Sequence, residues 1–546
     1  MKALLSCEDS RALDDSTRKI LALNSLQLME KASLRMWDAL RAEIASRPKL
    51  FEKGEQLRIV AVCGKGDNGA DALAILRHAF CAGFNNQKAL ISARELGKNA
   101  ATQAESLIQA GLAPMEWLEM EPGDSPGAKA VADTLEGADI LLDGILGTGM
   151  SGSAGGEAES MILSLNEAKR RDPGIFVVSI DLPSGLGDAW REGFPCVSAD
   201  LTLSLEPVKS ACYLPSARSL CGQLMPINDV FPASLTRHYG GLSLLEDKDL
   251  SGLLPESDPS GYKMSRGRLA IFAGSTGAVG AAQLCARAAL LSGAGYVTLY
   301  VDEALYPLIA PTLESVIVKP WTPGVDIGTC DAILAGPGWG RGKDRLNLLE
   351  RLFESEIPLV LDADALRLLA AHPKKALSGK APRILTPHPG EYEALLEGLE
   401  LPRDALPAGQ TMARTCEAYT SILVVKSHVT WICSPDGRSA VWDGMCPELG
   451  TAGSGDVLAG LVAGLSARKL AQLKRGNPAV KLGESDVTDA LRDAALGAVI
   501  AHGRAGKNLA RTVGWFEASD IALEASRILN AEGAGPRQLS GKQAFP

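Results

Sequence analysis

Two stretches of the chain alternate short apolar segments with longer helical ones. From about Leu57 to Leu203, segments rich in Val, Ile and Leu alternate with Ala- and Leu-rich segments. This alternation is typical of repeated βαβ units and predicts a parallel sheet covered by helices. Ligands of open parallel sheets gather at the carboxyl ends of the strands. The strands expected most clearly are Leu57–Cys63, Asp139–Asp143 and Ile175–Asp181, each followed by a glycine-containing loop.

The pattern loosens between Gln223 and Gly261, where prolines, glycines and acidic residues replace the periodicity. We therefore expect one domain over 1–236, a second over 237–532 and a mobile tail over 533–546. A basic stretch, Ala467–Asp486, is predicted to be a solvated loop between two helices. The strands expected in the second domain are Arg268–Ala273, Ala332–Ala335, Pro358–Leu361, Arg383–Leu385 and Ile422–Val425.

Length and composition narrow the class of protein. A chain of 546 residues exceeds the size at which one hydrophobic core stops growing, which agrees with two α/β domains. A net charge of -10 disfavours nucleic-acid binding. No apolar run approaches a membrane span and the start lacks a secretory signal, so a cytoplasmic location is expected, and we also expect a homo-oligomer. The eleven cysteines show no zinc-ligand spacing and are interpreted as reduced thiols.

Three glycine-containing loops of the first domain carry candidate chemistry. The segment CGKGDNGADA has the spacing G-x-G-x-x-G of a dinucleotide fingerprint. The fingerprint also requires a second strand that ends in an acidic residue, and the sequence offers only Glu95, after a polar stretch. Two further loops, LLDGILGTGMSG and SIDLPSGLGD, place Asp143 and Asp181 at strand ends. The backbone N–H groups of Gly147–Gly149 could contact a phosphate. Alternatively, the glycines only close turns and the two aspartates cap helices.

Oxygen-bearing side chains of the same loops suit a cation. Asn68, Asp143 and Ser184 offer the hard oxygen ligands that monovalent and divalent cations prefer.

Together the three loops resemble the NAD(P)H-hydrate epimerase family, whose pattern runs close to CGxGNNGGDG, VDALLGTG and DIPSG. The likeness covers roughly residues 1–235, with Asp67 standing where the pattern has Asn and Ala70 where it has Gly. It implies a Rossmann-like fold, a potassium ion on Asn68, Asp143 and Ser184, and a catalytic Asp181 beside the nicotinamide. The residues that the resemblance places against the hydrate, besides Asp181, are Asp67, Asn68, Gly69, Ala70, Asp71, Gly147, Thr148, Gly149, Met150, Ser151, Gly152 and Ser153.

The second domain combines an anion-binding turn with a candidate general base. In TAGSGDVLAGL, backbone N–H groups at a helix start could stabilise a transferring phosphoryl group. The positive helix end is expected to keep Asp456 ionised at neutral pH. Lys426 and Thr430 of VVKSHVT follow another strand and could hold phosphates, while TPHPGE places His388 in a non-helical loop. An Asp near a helix start or an isolated His is otherwise often structural.

These segments, with GPGWG, resemble the NAD(P)H-hydrate dehydratase branch of the ribokinase-like superfamily over roughly residues 240–530. The resemblance implies a magnesium ion and ADP as cosubstrate, with Asp456 as the catalytic base. It places Ala281, Gly338, His388 and Asp456 against the hydrate. It assigns the adenine nucleotide to Lys426, Ser427, His428, Val429, Thr430 and Gly455.

Together, the patterns and the two resemblances predict an α/β protein of two three-layer α/β/α domains. The N-terminal domain is expected to be Rossmann-like and the C-terminal domain ribokinase-like. The expected function is repair of nicotinamide nucleotides: epimerisation of the R and S NAD(P)H hydrates, then ADP-dependent dehydration of the S form with release of AMP and phosphate. The alternative is a ribokinase-like vitamin or sugar kinase with a non-catalytic N-terminal binding domain.

Overall fold

The structure is a computed structural model that describes all residues except 113, 118–125, 240, 323, 374–378, 380, 402–407, 477–481 and 534–546. The predicted tail, 533–546, therefore lies outside the described residues except for its first position. The chain divides into two compact units, Lys2–Leu242 and Ser243–Pro546, with Met1 grouped with the second. Within the described ranges, no helix is both long and apolar enough to cross a membrane.

The N-terminal unit is built on a seven-stranded sheet. The strands of this unit are β1 (Lys2–Ala3), β2 (Ile59–Cys63), β3 (Gln87–Ile91), β4 (Met115–Glu116), β5 (Ile140–Gly144), β6 (Phe176–Ile180), β7 (Leu201–Leu205) and β8 (Gln223–Ile227). The sheet has the order β4-β3-β2-β5-β6-β7-β8, and its paired strands are parallel. Its helices are Cys7–Leu21, Ser25–Ser46, Pro48–Phe51, Asp67–Cys81, Lys98–Gln109, Pro126–Glu136, Glu157–Arg171 and Ala233–Thr236.

Strand β2 shows why this unit has three layers. Every residue of its sequence IVAVC is buried. Ile59 and Ala61 belong to a core shared with the helices at Ser25–Ser46 and Asp67–Cys81, whereas Val60 and Val62 belong to a core shared with the helix at Glu157–Arg171. Successive side chains of a strand point to opposite faces, so one continuous apolar run supplies both cores.

The C-terminal unit contains a larger sheet. Its strands are β9 (Leu242–Leu244), β10 (Arg268–Phe272), β11 (Tyr296–Val301), β12 (Ile317–Pro320), β13 (Ala332–Ala335), β14 (Leu359–Leu361), β15 (Arg383–Leu385), β16 (Ser421–Val425), β17 (Val429–Cys433) and β18 (Ser439–Asp443). They follow the order β9-β18-β17-β16-β15-β14-β13-β10-β11-β12. The pairs from β16 through β15, β14, β13, β10 and β11 to β12 are parallel, and β16-β17 and β17-β18 are antiparallel.

Helices cover this sheet as well. Leu269 and Ile271 of β10 enter a large core that includes the helices Val279–Leu291, Ser454–Gly476 and Glu484–Thr512. Phe272, on the opposite face of β10, stacks on Tyr300 with ring centroids 4.8 Å apart. The remaining described helices are Leu250–Leu253, Tyr306–Ile309, Lys343–Glu354, Ala363–Ala371, Pro389–Gly398, Ala408–Tyr419 and Ala518–Gly533.

The α/β class and the strands predicted from apolar runs are confirmed, each strand within two residues of its expected ends. One prediction was wrong: Ala467–Gly476 is not a solvated loop but the end of the helix Ser454–Gly476. Leu470 belongs to the core there and Ala471 is also buried, so apolar packing on one face outweighs the basic residues on the other.

Candidate active sites

A cavity of about 720 Å³ lies where β2, β5 and β6 end in the N-terminal unit. The start of the helix Asp67–Cys81, which follows the loop after β2, contributes Asp67, Asn68 and Asp71, and Asp181 follows β6. The three loops singled out in the sequence therefore line one cavity, as the carboxyl ends of neighbouring parallel strands should. The first two helices of the unit, Cys7–Leu21 and Ser25–Ser46, supply further lining residues.

The glycines of CGKGDNG allow two loops to touch. A Cβ on Gly64 would lie 1.9 Å from the carbonyl oxygen of Ile145, and a Cβ on Gly69 would lie 2.1 Å from the carbonyl oxygen of Gly64. A Cβ on Gly66 would meet nothing within 4 Å. Gly64 and Gly69 are thus required for close backbone approach, which holds the loops after β2 and β5 together.

The three predicted potassium ligands meet around the backbone of Leu146. Asn68 donates from Nδ2 to the Leu146 carbonyl oxygen over 2.7 Å. Ser184 Oγ accepts from the Leu146 N–H over 2.8 Å and lies 3.1 Å from its carbonyl oxygen. The Ser184 N–H donates to Asp143 Oδ2 over 2.9 Å, so the set is one connected cluster.

Asp143 is a fully buried carboxylate held by neutral donors. Ser179 Oγ donates to its Oδ2 over 2.7 Å, and the Ile145 N–H lies 3.3 Å from its Oδ1. Burial raises the pKa of Asp143, and the hydrogen bonds from Ser184 and Ser179 oppose that rise. No Lys, Arg or His within the described ranges forms an ion pair with it. A bound cation would supply the positive charge that this environment lacks.

Asp181 is paired with a buried lysine that was not predicted from the sequence. Lys209, which is 1% exposed, contacts Asp181 Oδ1 through its Nζ, and the Leu205 N–H donates to the same oxygen over 3.1 Å. Asp181 also adopts a left-handed backbone conformation, with φ of 68°. Its carboxylate is therefore fixed in orientation at the cavity wall.

Asp71 differs from Asp181 in having an unpartnered oxygen. Its Oδ1 is shielded from solvent and accepts no hydrogen bond from any residue that the structure describes. Burial, together with the charges of Asp181, Asp67 and Asp14, raises the pKa of Asp71 well above its usual range. The surroundings of Asp71 therefore favour its protonated form.

The other predicted substrate residues divide into two groups. Those that line the cavity, besides the aspartates and Asn68, are Gly147, Thr148, Gly149, Met150 and Ser153. Gly69, Ala70, Ser151 and Gly152 do not line it. Ala70 instead packs in a small core with Met29 and Ala100. Four basic residues that were not predicted, Arg11, Arg18, Lys65 and Arg94, also line the cavity. Arg18 pairs with Asp14 and Asp15, and Arg94 pairs with Glu157, which line it as well.

In the C-terminal unit, the TAGSGD segment forms a tight turn into a long helix. Gly453 has φ of 90°, and a Cβ there would lie 2.4 Å from a Leu284 methyl group. The helix begins at Ser454, so Gly455 and Asp456 occupy its first turn. Free backbone N–H groups of a first turn attract anions. His502, buried behind the turn, contacts both Oγ and the carbonyl oxygen of Ser454 at 3.1 Å.

Lys426 stands next to this turn. A Cβ on Gly455 would lie 3.4 Å from Lys426 Nζ. The same ammonium group pairs with Asp362 Oδ1 over 2.5 Å, and Thr386 Oγ1 donates to that oxygen over 2.8 Å. Asp362 is 2% exposed and follows β14. Asp362 was not placed in the site from sequence, although its segment VLDADAL ends a predicted strand.

The environment of Asp456 differs from the sequence expectation. Burial and the charge of Asp362 raise its pKa to about 6, and Lys426 only partly opposes this. The positive helix end thus does not dominate, although the group is still mostly ionised at pH 7. A carboxylate with a pKa near the working pH is suited to accept and release a proton.

His388 caps the helix Pro389–Gly398. The ring nitrogen Nδ1 of His388 accepts from the Gly390 N–H over 3.0 Å. The backbone N–H of His388 donates to Glu391 Oε2 over 2.9 Å. The imidazole is 53% exposed. Burial and Asp362 raise the pKa of Glu391. His388 is therefore structurally engaged through Nδ1 and still accessible to a ligand.

The remaining predicted residues form two local groups. A Cβ on Gly338 would lie 3.0 Å from Ala281 Cβ, so these two are neighbours, and Gly338 has φ of 55°. In the segment Ser427–Thr430, Ser427 Oγ donates to the Val429 carbonyl oxygen over 2.5 Å, and Thr430 Oγ1 donates to the Ser427 carbonyl oxygen over 3.1 Å. His428 lies between them at the start of the β17-β18 hairpin.

Comparison with known proteins covers both units. Residues 269–528 match the family described as NAD(P)H-hydrate dehydratase, and residues 25–211 match the family described as YjeF-related protein N-terminus. A solved structure of an ADP/ATP-dependent NAD(P)H-hydrate dehydratase from Bacillus subtilis, co-crystallized with ATP and Mg²⁺, covers 53% of this chain and 98% of its own, at 23% identity and a TM-score of 0.43.

Full-length relatives carry both halves together. A bifunctional NAD(P)H-hydrate repair enzyme from Moorella thermoacetica is 31% identical and covers 94% of this chain and 93% of its own length. One from Gloeobacter violaceus is also 31% identical and covers 93% of this chain and 94% of its own. With two matching domains in one chain and relatives that span nearly all of it, this chain belongs to the family of bifunctional NAD(P)H-hydrate repair enzymes.

Proposed function

We propose that the N-terminal cavity epimerises the R and S hydrates and that Asp456 is the base of the ADP-dependent dehydration in the C-terminal unit. The observation that carries the second role is the meeting of Asp456, the first-turn N–H groups of its helix and Lys426 in one place. A proton acceptor beside an anion-binding turn and a cation is what phosphoryl transfer needs. Because relatives match both halves, the vitamin or sugar kinase alternative is not retained.

In the dehydration, the hydroxyl oxygen of the hydrate attacks the terminal phosphoryl group of ADP, and Asp456 accepts the proton of that hydroxyl. AMP leaves, and the hydroxyl becomes a phosphate ester, which is a better leaving group. Loss of phosphate together with a proton from the neighbouring ring carbon then forms the C=C bond of the dihydronicotinamide ring. Lys426 and Gly455 stabilise the negative charge that develops on the phosphoryl oxygens. Ser427, His428, Val429 and Thr430 would hold the rest of the nucleotide, and Ala281, Gly338 and His388 the hydrate.

The charge of the C-terminal site fits a magnesium ion that arrives with the nucleotide. Asp362 and Glu391 raise the pKa of Asp456, and Asp362 also raises that of Glu391, so negative charge exceeds the single Lys426 ammonium. The described residues contain no cluster of three His, Cys, Asp or Glu side chains that could hold a metal. Magnesium bound mainly by phosphates and water agrees with that arrangement and would neutralise phosphate charge.

Potassium fits the N-terminal cluster of Asn68, Asp143 and Ser184. Asp143 is buried and has no cationic partner among the described residues, and it accepts a hydrogen bond from the Ser184 N–H. The side chains of Ser184 and Asn68 both bond to the backbone of Leu146. The substrate would lie in the cavity beside Asp181, with Gly147–Gly149 and the basic side chains facing its phosphates. A homo-oligomer and a cytoplasmic location stay predictions, and sedimentation equilibrium tests the first.

The test is an assay of the purified chain on separated hydrates. With the S hydrate, NADH should form when ADP is supplied and not without nucleotide, with ATP as a comparison. With the R hydrate, NADH should form only after epimer exchange, which chromatography follows without nucleotide. NADH formation in the absence of any nucleotide would refute the phosphoryl-transfer role, and a stable phosphorylated product would indicate a kinase instead.

A further inference from the structure

Two carboxyl groups of the N-terminal cavity lie in contrasting surroundings. Asp181 forms an ion pair with the buried Lys209, whereas Asp71 has an oxygen that is shielded from water and has no hydrogen-bond donor among the described residues. Both side chains line the cavity. An ionised carboxylate without donors would be costly at the position of Asp71, while a protonated one is stable there.

The charged groups around Asp71 come from four elements. Asp67 shares its helix, Asp14 lies on the helix Cys7–Leu21, and Asp181 and Lys209 follow β6 and β7. Asp14 is itself paired with Arg18 at 2.9 Å. The three aspartates and burial raise the pKa of Asp71, and Lys209 lowers it. Asp67 is further held in place by Asn99, which donates to its Oδ1 over 2.8 Å.

We propose that Asp71 is the proton donor and Asp181 the proton acceptor of the epimerisation, with Lys209 positioning Asp181. This inference rests on the assignment of epimerisation to the N-terminal cavity. A buried carboxyl group with an unpartnered oxygen, beside a carboxylate that is paired with a lysine, gives the acid and the base that proton-transfer catalysis requires. A binding role alone would not require Asp71 to lack a partner.

The proton steps balance without any further reactant. In the hydrate, the carbon that bears the hydroxyl is bonded to the ring nitrogen. Asp181 takes the hydroxyl proton, the O–H electron pair forms an aldehyde C=O bond, and the C–N bond breaks as its electrons take the proton of Asp71. After rotation about the neighbouring C–C bond, the nitrogen attacks the other carbonyl face and returns its proton to Asp71. Asp181 returns its proton to the new alkoxide, so both groups are restored.

The first test is Asp71→Asn in the full chain. We expect epimer exchange to slow by about 10²- to 10⁴-fold, the usual cost of losing a general acid, while dehydration of the S hydrate stays normal. Asp38→Asn, at an exposed carboxylate outside the cavity lining, makes the same change of acid to amide and should alter neither rate. If the unmodified chain shows no epimer exchange, the function assigned to the cavity fails. If the unmodified chain exchanges the epimers and Asp71→Asn exchanges them at the same rate, only the role given to Asp71 fails.

The second test uses the pH profile of Asp67→Asn. Removing the charge of Asp67 should lower the pKa of Asp71, so the loss of epimerisation at high pH should begin at a lower pH than in the unmodified chain. Asp38→Asn should leave the profile in place. If Asp71 only maintained the fold, Asp67→Asn would not shift the high-pH limb of the epimerisation profile. An unshifted limb in an active Asp67→Asn chain would overturn the role of Asp71.

Discussion

Replacing Asp456 by asparagine should stabilise the C-terminal unit while removing most of its activity. The folded structure raises the pKa of Asp456 from 3.8 to about 6, chiefly by burial. At about 1.4 kcal/mol per pKa unit, keeping this group ionised costs the folded state up to about 3 kcal/mol. Water at the partly exposed carboxylate reduces that figure. Asparagine has nearly the same shape, can occupy a helix first turn and carries no charge.

The pH dependence fixes the sign of this effect. Because the folded-state pKa is raised, the unmodified chain loses stability relative to the variant as pH rises from about 4 to about 6, and the full difference persists above that range. Below pH 4 the group is protonated in both the folded and unfolded states, so the difference vanishes. Dehydration should fall by about 10²- to 10⁴-fold at every pH where the unmodified enzyme is active.

Hydrogen exchange of the core amides in Ser454–Gly476, measured at pH 4 and pH 8, would give the stability difference for this unit alone. That choice matters because a two-domain chain need not unfold in one step. Glu303→Gln, at an exposed carboxylate, is the control for a change of acid to amide. If the stability advantage of the variant over the unmodified chain is no larger at pH 8 than at pH 4, the burial argument is refuted. A variant that dehydrates normally would remove Asp456 as the base.

Three further predictions follow from distances and burial. Asp143→Asn should abolish the acceleration of epimerisation by potassium, measured against sodium at equal ionic strength, and an intact response would exclude this residue as a ligand. The kcat of dehydration should rise with pH through about 6 and then level off as Asp456 ionises, which a pH-independent rate would contradict. Gly64→Ala should destabilise the N-terminal unit by about 1–3 kcal/mol, because its Cβ would meet the Ile145 carbonyl. Gly66→Ala, where a Cβ meets nothing, should change thermal unfolding little. Equal effects of the two substitutions would show that the loops rearrange.

The strands and the site loops could be predicted because their signals are local. An apolar run such as IVAVC must be a buried strand, and a glycine loop at its end marks the ligand edge of a parallel sheet. The antiparallel strands β17 and β18 were not predicted, although the β16 segment before them was. The end of the helix Ser454–Gly476 was wrongly predicted as a loop because its basic residues lie on one face of the helix. The opposite face carries Leu470 and packs in the core.

Partners that come together only through the fold could not be predicted. Lys209 reads in the sequence like any surface lysine, yet it is buried against Asp181, which lies 28 positions earlier. Asp362 and Lys426 are 64 positions apart and form an ion pair across the ends of β14 and β16. The pKa of Asp456 depends on both of them and on burial, so the sequence could indicate a base but not its environment.

The backbone of Leu146 joins the candidate cation cluster to the glycine loop that follows it. Its N–H and carbonyl groups are engaged by Ser184 and Asn68, and the next residues, Gly147–Gly149, line the cavity. An ion that orders those two side chains would stiffen the glycine loop before the substrate arrives, which lowers the entropic cost of binding. Potassium would then act mainly on KM rather than on kcat, and the substrate affinity of this domain would follow the ionic composition of its surroundings.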